Sequence, residues 1–248
     1  MLALRSRAAL ALAFLLTAVC ATARADPADY VHVPAVEYGE REIDFKSGNE
    51  VGPGAQRLSQ SAIGFGYGAT PHWFTEVYVK YETTGGEPRH FDAWEWENKF
   101  QLTETGEYPV DVGFLLEIER PKDRSAGYET RFGPLLQTEF GRVQLNGNVL
   151  FQRSLRASTP QDTRLGYEWQ AKYRWRPEFE FGLQGFGDLG RWDHWDPREQ
   201  QTNRLGPAVF GRLPVGVHEA IRYNAALLLK ASDGAPDTAL RVQVEYEF

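Results

Sequence analysis

The stretch Thr238-Ala-Leu-Arg-Val-Gln-Val-Glu-Tyr-Glu-Phe248, at the end of the 248-residue chain, decides the reading of the fold. Leu240, Val242, Val244, Tyr246 and Phe248 occupy every second position, and Arg241, Gln243, Glu245 and Glu247 fill the gaps. Successive side chains of a strand point to opposite faces, so this segment carries one apolar wall and one charged wall. Such an apolar face needs either a protein core or a hydrocarbon solvent beside it.

The same sorting recurs upstream. Across 164–175, Leu165, Tyr167, Trp169, Ala171, Tyr173 and Trp175 form one face, while Gly166, Glu168, Gln170, Lys172 and Arg174 form the other. On a helix these residues would scatter around all sides; on a strand they separate cleanly. Val77 and Val79 alternate with Glu76, Tyr78 and Lys80. Trp94, Trp96, Phe100 and Leu102 alternate with Glu95, Glu97, Lys99 and Gln101. Val112, Phe114, Leu116 and Ile118 alternate with Asp111, Glu117 and Glu119. Further alternating segments begin near Val143, Phe179 and Ile221, and weaker strands are expected at 36–47, 57–68, 128–139 and 202–212. Pro134 and Pro207 fall inside two of these, where a missing ladder donor predicts bulges.

The expected architecture is therefore all-β: a transmembrane, antiparallel, up-and-down β-barrel of about twelve strands. Short connections alternate with longer, more polar ones, as in bacterial barrels with short periplasmic turns and long outer loops. A soluble sandwich would bury the apolar faces against each other, yet these faces carry bulky aromatics and the opposite faces dense charge. Trp94, Trp96, Tyr167, Trp169, Tyr173 and Trp175 are expected to face lipid. The lumen is expected to be lined by Lys80, Glu95, Glu97, Lys99, Glu117, Glu119, Glu129, Arg131, Lys172, Arg174, Arg222 and Arg241. These inward charges divide into an acidic wall on the strands from Glu76 to Arg131 and a basic wall on the strands from Lys172 onward.

The amino-terminal end reads as a secretory signal peptide over 1–25. Arg5 and Arg7 precede an apolar run, and Ala23 and Ala25 give a small-x-small cleavage pattern. Val19 before Cys20 departs from the small residue a lipoprotein signal requires. A periplasmic arm is expected at 26–35 and the barrel at 36–248. Cys20 is the only cysteine, so the mature part lacks both disulfides and thiolate metal ligands. Removing Arg5, Arg7 and Arg24 takes the formal charge from −7 to −10, which argues against nucleic acid as a partner.

With its signal, strand pattern and terminal aromatic, the chain resembles Gram-negative outer-membrane β-barrel proteins over its whole mature length. That resemblance implies location in the cell outer membrane, with lipid around the barrel and a barrel-assembly machinery that reads Tyr246 and Phe248 as an insertion signal. The glycine usual five residues before the terminal aromatic is Gln243 here. The turn at 68–73 (Gly-Ala-Thr-Pro-His-Trp) also looks like turns in small transporter-like barrels associated with aromatic-compound catabolism.

Catalytic constellations are weak. His32, His72, His90, His194 and His218 all fall in the arm, turns or loops, and none alternates in phase with a serine on a neighbouring strand, although a nucleophile needs its base within hydrogen-bond reach. His90 and Ser125 are the best pair. Asp193, His194 and Asp196 share one loop, a thin signal for a metal. Paired glutamates such as Glu95, Glu97, Glu117 and Glu119 suit acid–base work on a glycan, but equally suit cations or pairing with Lys80, Lys99 and Arg131. The sequence thus points away from an enzyme, without cofactor or metal, and towards a monomeric channel or transporter for small hydrophilic or charged solutes. The alternatives are a structural or interaction barrel with a salt-bridged, plugged lumen and a surface enzyme acting on lipid or glycan.

Overall fold

The computed structural model describes residues 26–248; the signal peptide expected over 1–25 lies outside the described residues. Twelve long strands close into one antiparallel ring: β1 (Arg41–Val51), β2 (Arg57–Thr70), β3 (Trp73–Thr84), β4 (His90–Gln101), β5 (Asp111–Pro121), β6 (Tyr128–Phe140), β7 (Val143–Leu155), β8 (Arg164–Arg176), β9 (Phe179–Arg191), β11 (Thr202–Pro214), β12 (Ala220–Lys230) and β13 (Thr238–Glu247). The extra strand β10 (His194–Trp195) folds back on β9 at one rim. The ring closes where β1 meets β13, from Glu42 opposite Glu247 to Val51 opposite Thr238. The Phe248 N–H completes the seam by donating to the Arg41 carbonyl at 2.9 Å. A closed ring leaves no edge and satisfies the ladder donors and acceptors within the sheet.

Burial is inverted relative to a water-soluble domain. Ile43, Phe45, Trp94, Trp96, Leu183 and Leu227 are exposed on the outer wall, whereas Asp44, Glu76, Glu97, Gln184 and Arg241 are buried inside. Hydrocarbon outside the ring resolves that inversion. Asn98, the one polar residue in the outward phase of β4, sits in a small cluster. It accepts from Trp73 Nε1 at 3.1 Å and Thr75 Oγ1 at 3.2 Å.

Two expectations change. The first strand begins at Arg41 rather than near 36. Gly39 (φ 82) turns the chain sharply there, its N–H donating to the Gly68 carbonyl while the Gly68 N–H donates to the Glu40 carbonyl, both at 2.9 Å. The two prolines also make no bulge. β6 and β7 keep one register on both sides of Pro134, as do β11 and β12 around Pro207. The preceding glycines account for this. A Cβ at Gly133 would overlap the Val149 carbonyl, and one at Gly206 would overlap that of Leu227. The neighbouring strand fills the place of the missing side chain, so the proline costs a local gap in pairing and leaves the register intact.

Gly206→Val should therefore destabilise the barrel by about 3 kcal/mol through overpacking against backbone. Gly147→Val, at a position with no atom within 4 Å of the new Cβ, should be neutral or stabilising. Urea midpoints of the two variants in detergent micelles check this; equal midpoints would contradict the packing assignment.

Candidate functional site

The ring has a short-turn end, with tight connections such as 71–72, 141–142 and 177–178, and a long-loop end. Residues 26–40 enter at the short-turn end and run up inside the ring. The Val36 N–H donates to Gln101 Oε1 at 2.7 Å. Higher up, His32 is 2% exposed and has Glu97 Oε1 3.4 Å from Nδ1 and Glu117 Oε1 3.4 Å from Nε2. Tyr30 Oη reaches both Glu97 oxygens, at 3.0 and 3.1 Å. Asp29 pairs with Arg131 at 3.0 Å, and Asp26, nearest the long-loop end, pairs with Lys80 at 2.5 Å. The arm expected in the periplasm over 26–35 is thus inside the lumen.

Bare wall makes room for it. Gly64, Gly66 and Gly68 all face inward on β2. A Cβ at Gly68 would overlap the Glu37 carbonyl, one at Gly48 would overlap Pro27, and one at Gly113 would lie 2.9 Å from the Pro34 Cβ. Over Gly64 and Gly66 the rings of Tyr78 and Phe74 fold across the wall. The arm's Val31 completes an apolar patch with Phe186, Ala208, Phe210, Ala226, Leu228 and Ala239.

Around the arm, charge is matched locally. Lys80 touches Asp26, Glu95 and Glu119, at 2.5, 3.1 and 2.5 Å. Arg131 joins Asp29, Glu117 and Glu168, at 3.0, 2.6 and 3.0 Å. Glu129 accepts from Gln152. Lys46 lies 3.8 Å from both Asp44 and Glu97, over the rings of Tyr30 and Tyr78. Lys99 sits over the Phe74 ring. The opposed acidic and basic walls are therefore replaced by adjoining pairs: Lys172 with Glu180, Arg174 with Glu139 and Glu180, Arg204 with Glu50, and Arg212 and Arg222 with Glu247. A charge taken out of water costs several kcal/mol unless matched at close range, so contact partners prevail over a field between distant walls.

A chain of amides crosses the rest of the wall. Asn146 donates to Gln137, Gln170 to Asn146, Gln184 to Gln170, and Arg241 to Gln184, at 2.9–3.1 Å. Gln243, the residue in place of the usual glycine, donates to Asp44 at 3.1 Å and accepts from Asn224 at 3.1 Å, which gives this departure a use in the lumen. On the outer wall Trp94, Trp96, Tyr173 and Trp175 are exposed, and Tyr167 and Trp169 lie across Gly187 and Gly185. Tyr246 stacks on Phe248 with centroids 5.6 Å apart.

Between the arm and the short-turn rim lies a cavity of about 1120 Å³, lined among others by Glu42, Glu76, Lys99, Lys172, Arg174, Arg222 and Glu245. The 102–110 connection supplies Thr105, Gly106, Tyr108 and Pro109 to its rim. At the opposite side of the arm is a pocket of about 30 Å³, lined among others by Asp26, Lys80, Glu119 and Glu129.

The candidate chemical sites take other forms. Ser125 Oγ donates to Asp123, and His90 Nδ1 sits 3.4 Å from the Pro88 carbonyl, so these two are not joined. Asp193 pairs with Arg191 and Asp196 with Arg164. Among the described residues, His32, Glu97 and Glu117 form the one group with metal-ligand proximity. Both imidazole nitrogens face carboxylates that already hold Tyr30, Lys46 and Arg131, and both can donate only from the imidazolium form. This is the geometry of a charge bridge.

No family model matches the chain, and no curated protein matches it. Among solved structures it is similar to the NanC porin, at 9% identity with a TM-score of 0.56, covering 83% of this chain and 98% of that one. It is also similar to an outer membrane channel from Pseudomonas putida F1, at 12% identity with a TM-score of 0.55, covering 91% and 100%. At such identities the likeness is one of fold: that of Gram-negative outer-membrane β-barrel channels and porins, with no single close family.

Glu97→Gln should loosen the arm, because His32 and Lys46 lose a shared buried counter-charge; breaking such a pair costs about 3 kcal/mol. In a Val31→Cys background, thiol labelling should be slow with Glu97 present and markedly faster with the glutamine. Equal labelling rates would contradict the bridge's holding role.

Proposed function

We propose that this protein is a monomeric outer-membrane channel for small hydrophilic, charged solutes, closed at rest by its own amino-terminal arm. The observation that carries the reading is the combination of a charged cavity at one end of the barrel with an arm seated between that cavity and the other end. The fold shared with two channel proteins supports it. Short turns face the periplasm in barrels of this kind, so the cavity is a periplasmic vestibule. Export through the signal over 1–25, insertion by a barrel-assembly machinery reading Tyr246 and Phe248, and surrounding outer-membrane lipid belong to the same proposal. One chain closes the whole ring, so no second copy is needed to remove an edge.

Opening requires the arm to leave or shift. The inward residues then exposed include Asp44, Glu76, Glu95, Glu97, Glu117, Glu119, Glu129 and Glu168, against Lys46, Lys80, Arg131, Arg204 and Arg241. An excess of one sign in a narrow pore concentrates counter-ions, so cations are favoured. The density of ion pairs around the arm favours a second reading, a permanently plugged barrel that works through its loops.

Planar-bilayer recordings separate the two. A variant lacking residues 26–36 should conduct several-fold more than the parent and prefer cations, with a preference that weakens at high salt as screening grows. A folded deletion variant as silent as the parent would establish the plugged barrel instead, and an open pore preferring anions would overturn the charge assignment.

A further inference from the structure

The outer wall carries an unusual arc near the long-loop end. Arg89 lies with its guanidinium 5.0 Å from the centroid of the Tyr81 ring and donates to Ser61 Oγ, so it lies along the lipid-facing wall and not over the lumen. Tyr81 meets Phe91 edge-on at 6.2 Å, and Phe91 meets Trp94 at 5.9 Å. Trp94, 52% exposed, stands opposite Arg120 in the β4–β5 ladder. Arg120 lies 4.3 Å from the Tyr128 ring centroid and donates to the Gly127 carbonyl. One strand further, exposed Arg153 stands opposite Thr130, whose hydroxyl donates to the Arg153 carbonyl at 2.9 Å.

Arginine and aromatic side chains therefore alternate across β3 to β7 above the apolar band. Among the described residues no carboxylate pairs with these three guanidinium groups: Arg89 and Arg120 donate to a hydroxyl and a carbonyl. The nearby Asp123 is engaged by the N–H and hydroxyl of Ser125, at 2.9 and 2.7 Å. The short-turn rim has aromatic pairs too, Trp175 with Phe179 and Tyr246 with Phe248, and there, among the described residues, Arg176 over Trp175 is the one cation stacked on an outward ring. Both rims carry aromatics, and the long-loop rim has two arginines stacked on outward rings, Arg89 on Tyr81 and Arg120 on Tyr128.

A guanidinium over a ring, with no carboxylate partner, can still offer N–H groups to a planar, bidentate acceptor, and phosphate is such an acceptor. In a chain of formal charge −7, outward Arg89, Arg120 and Arg153 at the long-loop rim match an anionic headgroup layer there. We infer that the Arg89–Arg120–Arg153 arc binds the phosphate groups of a phosphorylated glycolipid in the outer leaflet. The inference rests on the outer-membrane reading above, since that reading sets the long-loop end against the outer leaflet. The aromatic chain supplies the surface on which the acyl–headgroup boundary rests, and the arginines supply the anion contacts.

The test uses the full mature barrel refolded into vesicles containing either phosphorylated lipid A or the same lipid with both phosphates removed. Glycolipid retained after extraction in mild detergent is then quantified by native mass spectrometry. The parent should retain the phosphorylated form and not the dephosphorylated one. In R89Q/R120Q/R153Q, retention should weaken about fivefold per arginine, on the order of a hundredfold in all. Arg176→Gln, on the other rim, should match the parent. Should the triple variant lack the heat-shifted gel band of a folded barrel, exposed Arg153→Gln alone should still weaken retention about fivefold. Equal retention of the two lipids by the parent, or of the phosphorylated lipid by parent and folded arginine variants, would overturn the inference. A parent that inserts and conducts on deletion of its arm, yet retains both lipids alike, would sink the glycolipid site and leave the channel reading standing.

Discussion

One carboxylate holds the architecture together. Glu97 is 2% exposed and meets Tyr30, His32 and Lys46, drawing two residues of the arm and one of β1 onto β4. A buried anion of this kind is tolerable only when its partners are close and donate well. The arm supplies a phenol and an imidazole at that height and places Asp29 and Asp26 where Arg131 and Lys80 need acids. The arm and the inner wall are thus electrostatic complements, and neither is satisfied alone. The apolar contacts of Val31 with Phe186, Leu228 and their neighbours reinforce the seat without choosing its height; the ion contacts choose it.

The consequence is a lumen of two unlike ends. Towards the short turns the wall stays wet and charged around about 1120 Å³ of space. Towards the loops, a pocket of about 30 Å³ lies between the arm's Asp26 and Asp29 and the wall. A ring of twelve strands lies between the side-chain-filled barrels of eight and the open channels of sixteen. Here the difference in volume is taken up by the chain's own leading segment. That segment is short and held by polar contacts, which suits a closure that yields to voltage, solute or a change in charge better than it suits a folded plug domain.

The alternation of Leu240 to Phe248 and of Leu165 to Trp175 was enough to read the ring and to sort its faces, because a period of two is a local property of the chain. The position of the arm was not legible in the same way, since it depends on contacts between residues far apart in sequence, such as Tyr30 and Glu97. A signal was nevertheless present. Gly48, Gly68 and Gly113 leave inward positions of β1, β2 and β5 without side chains, and each is a place where the arm packs against the wall. The Gly-Pro pairs at 133–134 and 206–207 misled for a related reason. Proline chemistry alone predicts a bulge, while the glycine before it lets the neighbouring backbone close in and preserves the register. Charge sorting identified inward residues such as Lys80 and Arg131 but not their partners, because pairing follows from register and from the arm.

The central claim is that the arm, held within the ring, is what keeps the pore shut. A Cβ at position 113 falls 2.9 Å from that of Pro34, slightly inside the usual disulfide separation of about 3.5–4.5 Å. The chain has one cysteine, Cys20 in the expected signal, so a Pro34→Cys/Gly113→Cys barrel carries a single tether. The decisive measurement is single-channel current through that barrel before and after reduction, with tether formation read from gel mobility. The account predicts a pore that stays silent at every applied voltage while oxidised and that, once reduced, opens under applied voltage as the untethered arm yields. Oxidised and reduced pores that conduct alike, or cysteines that never join, would contradict it.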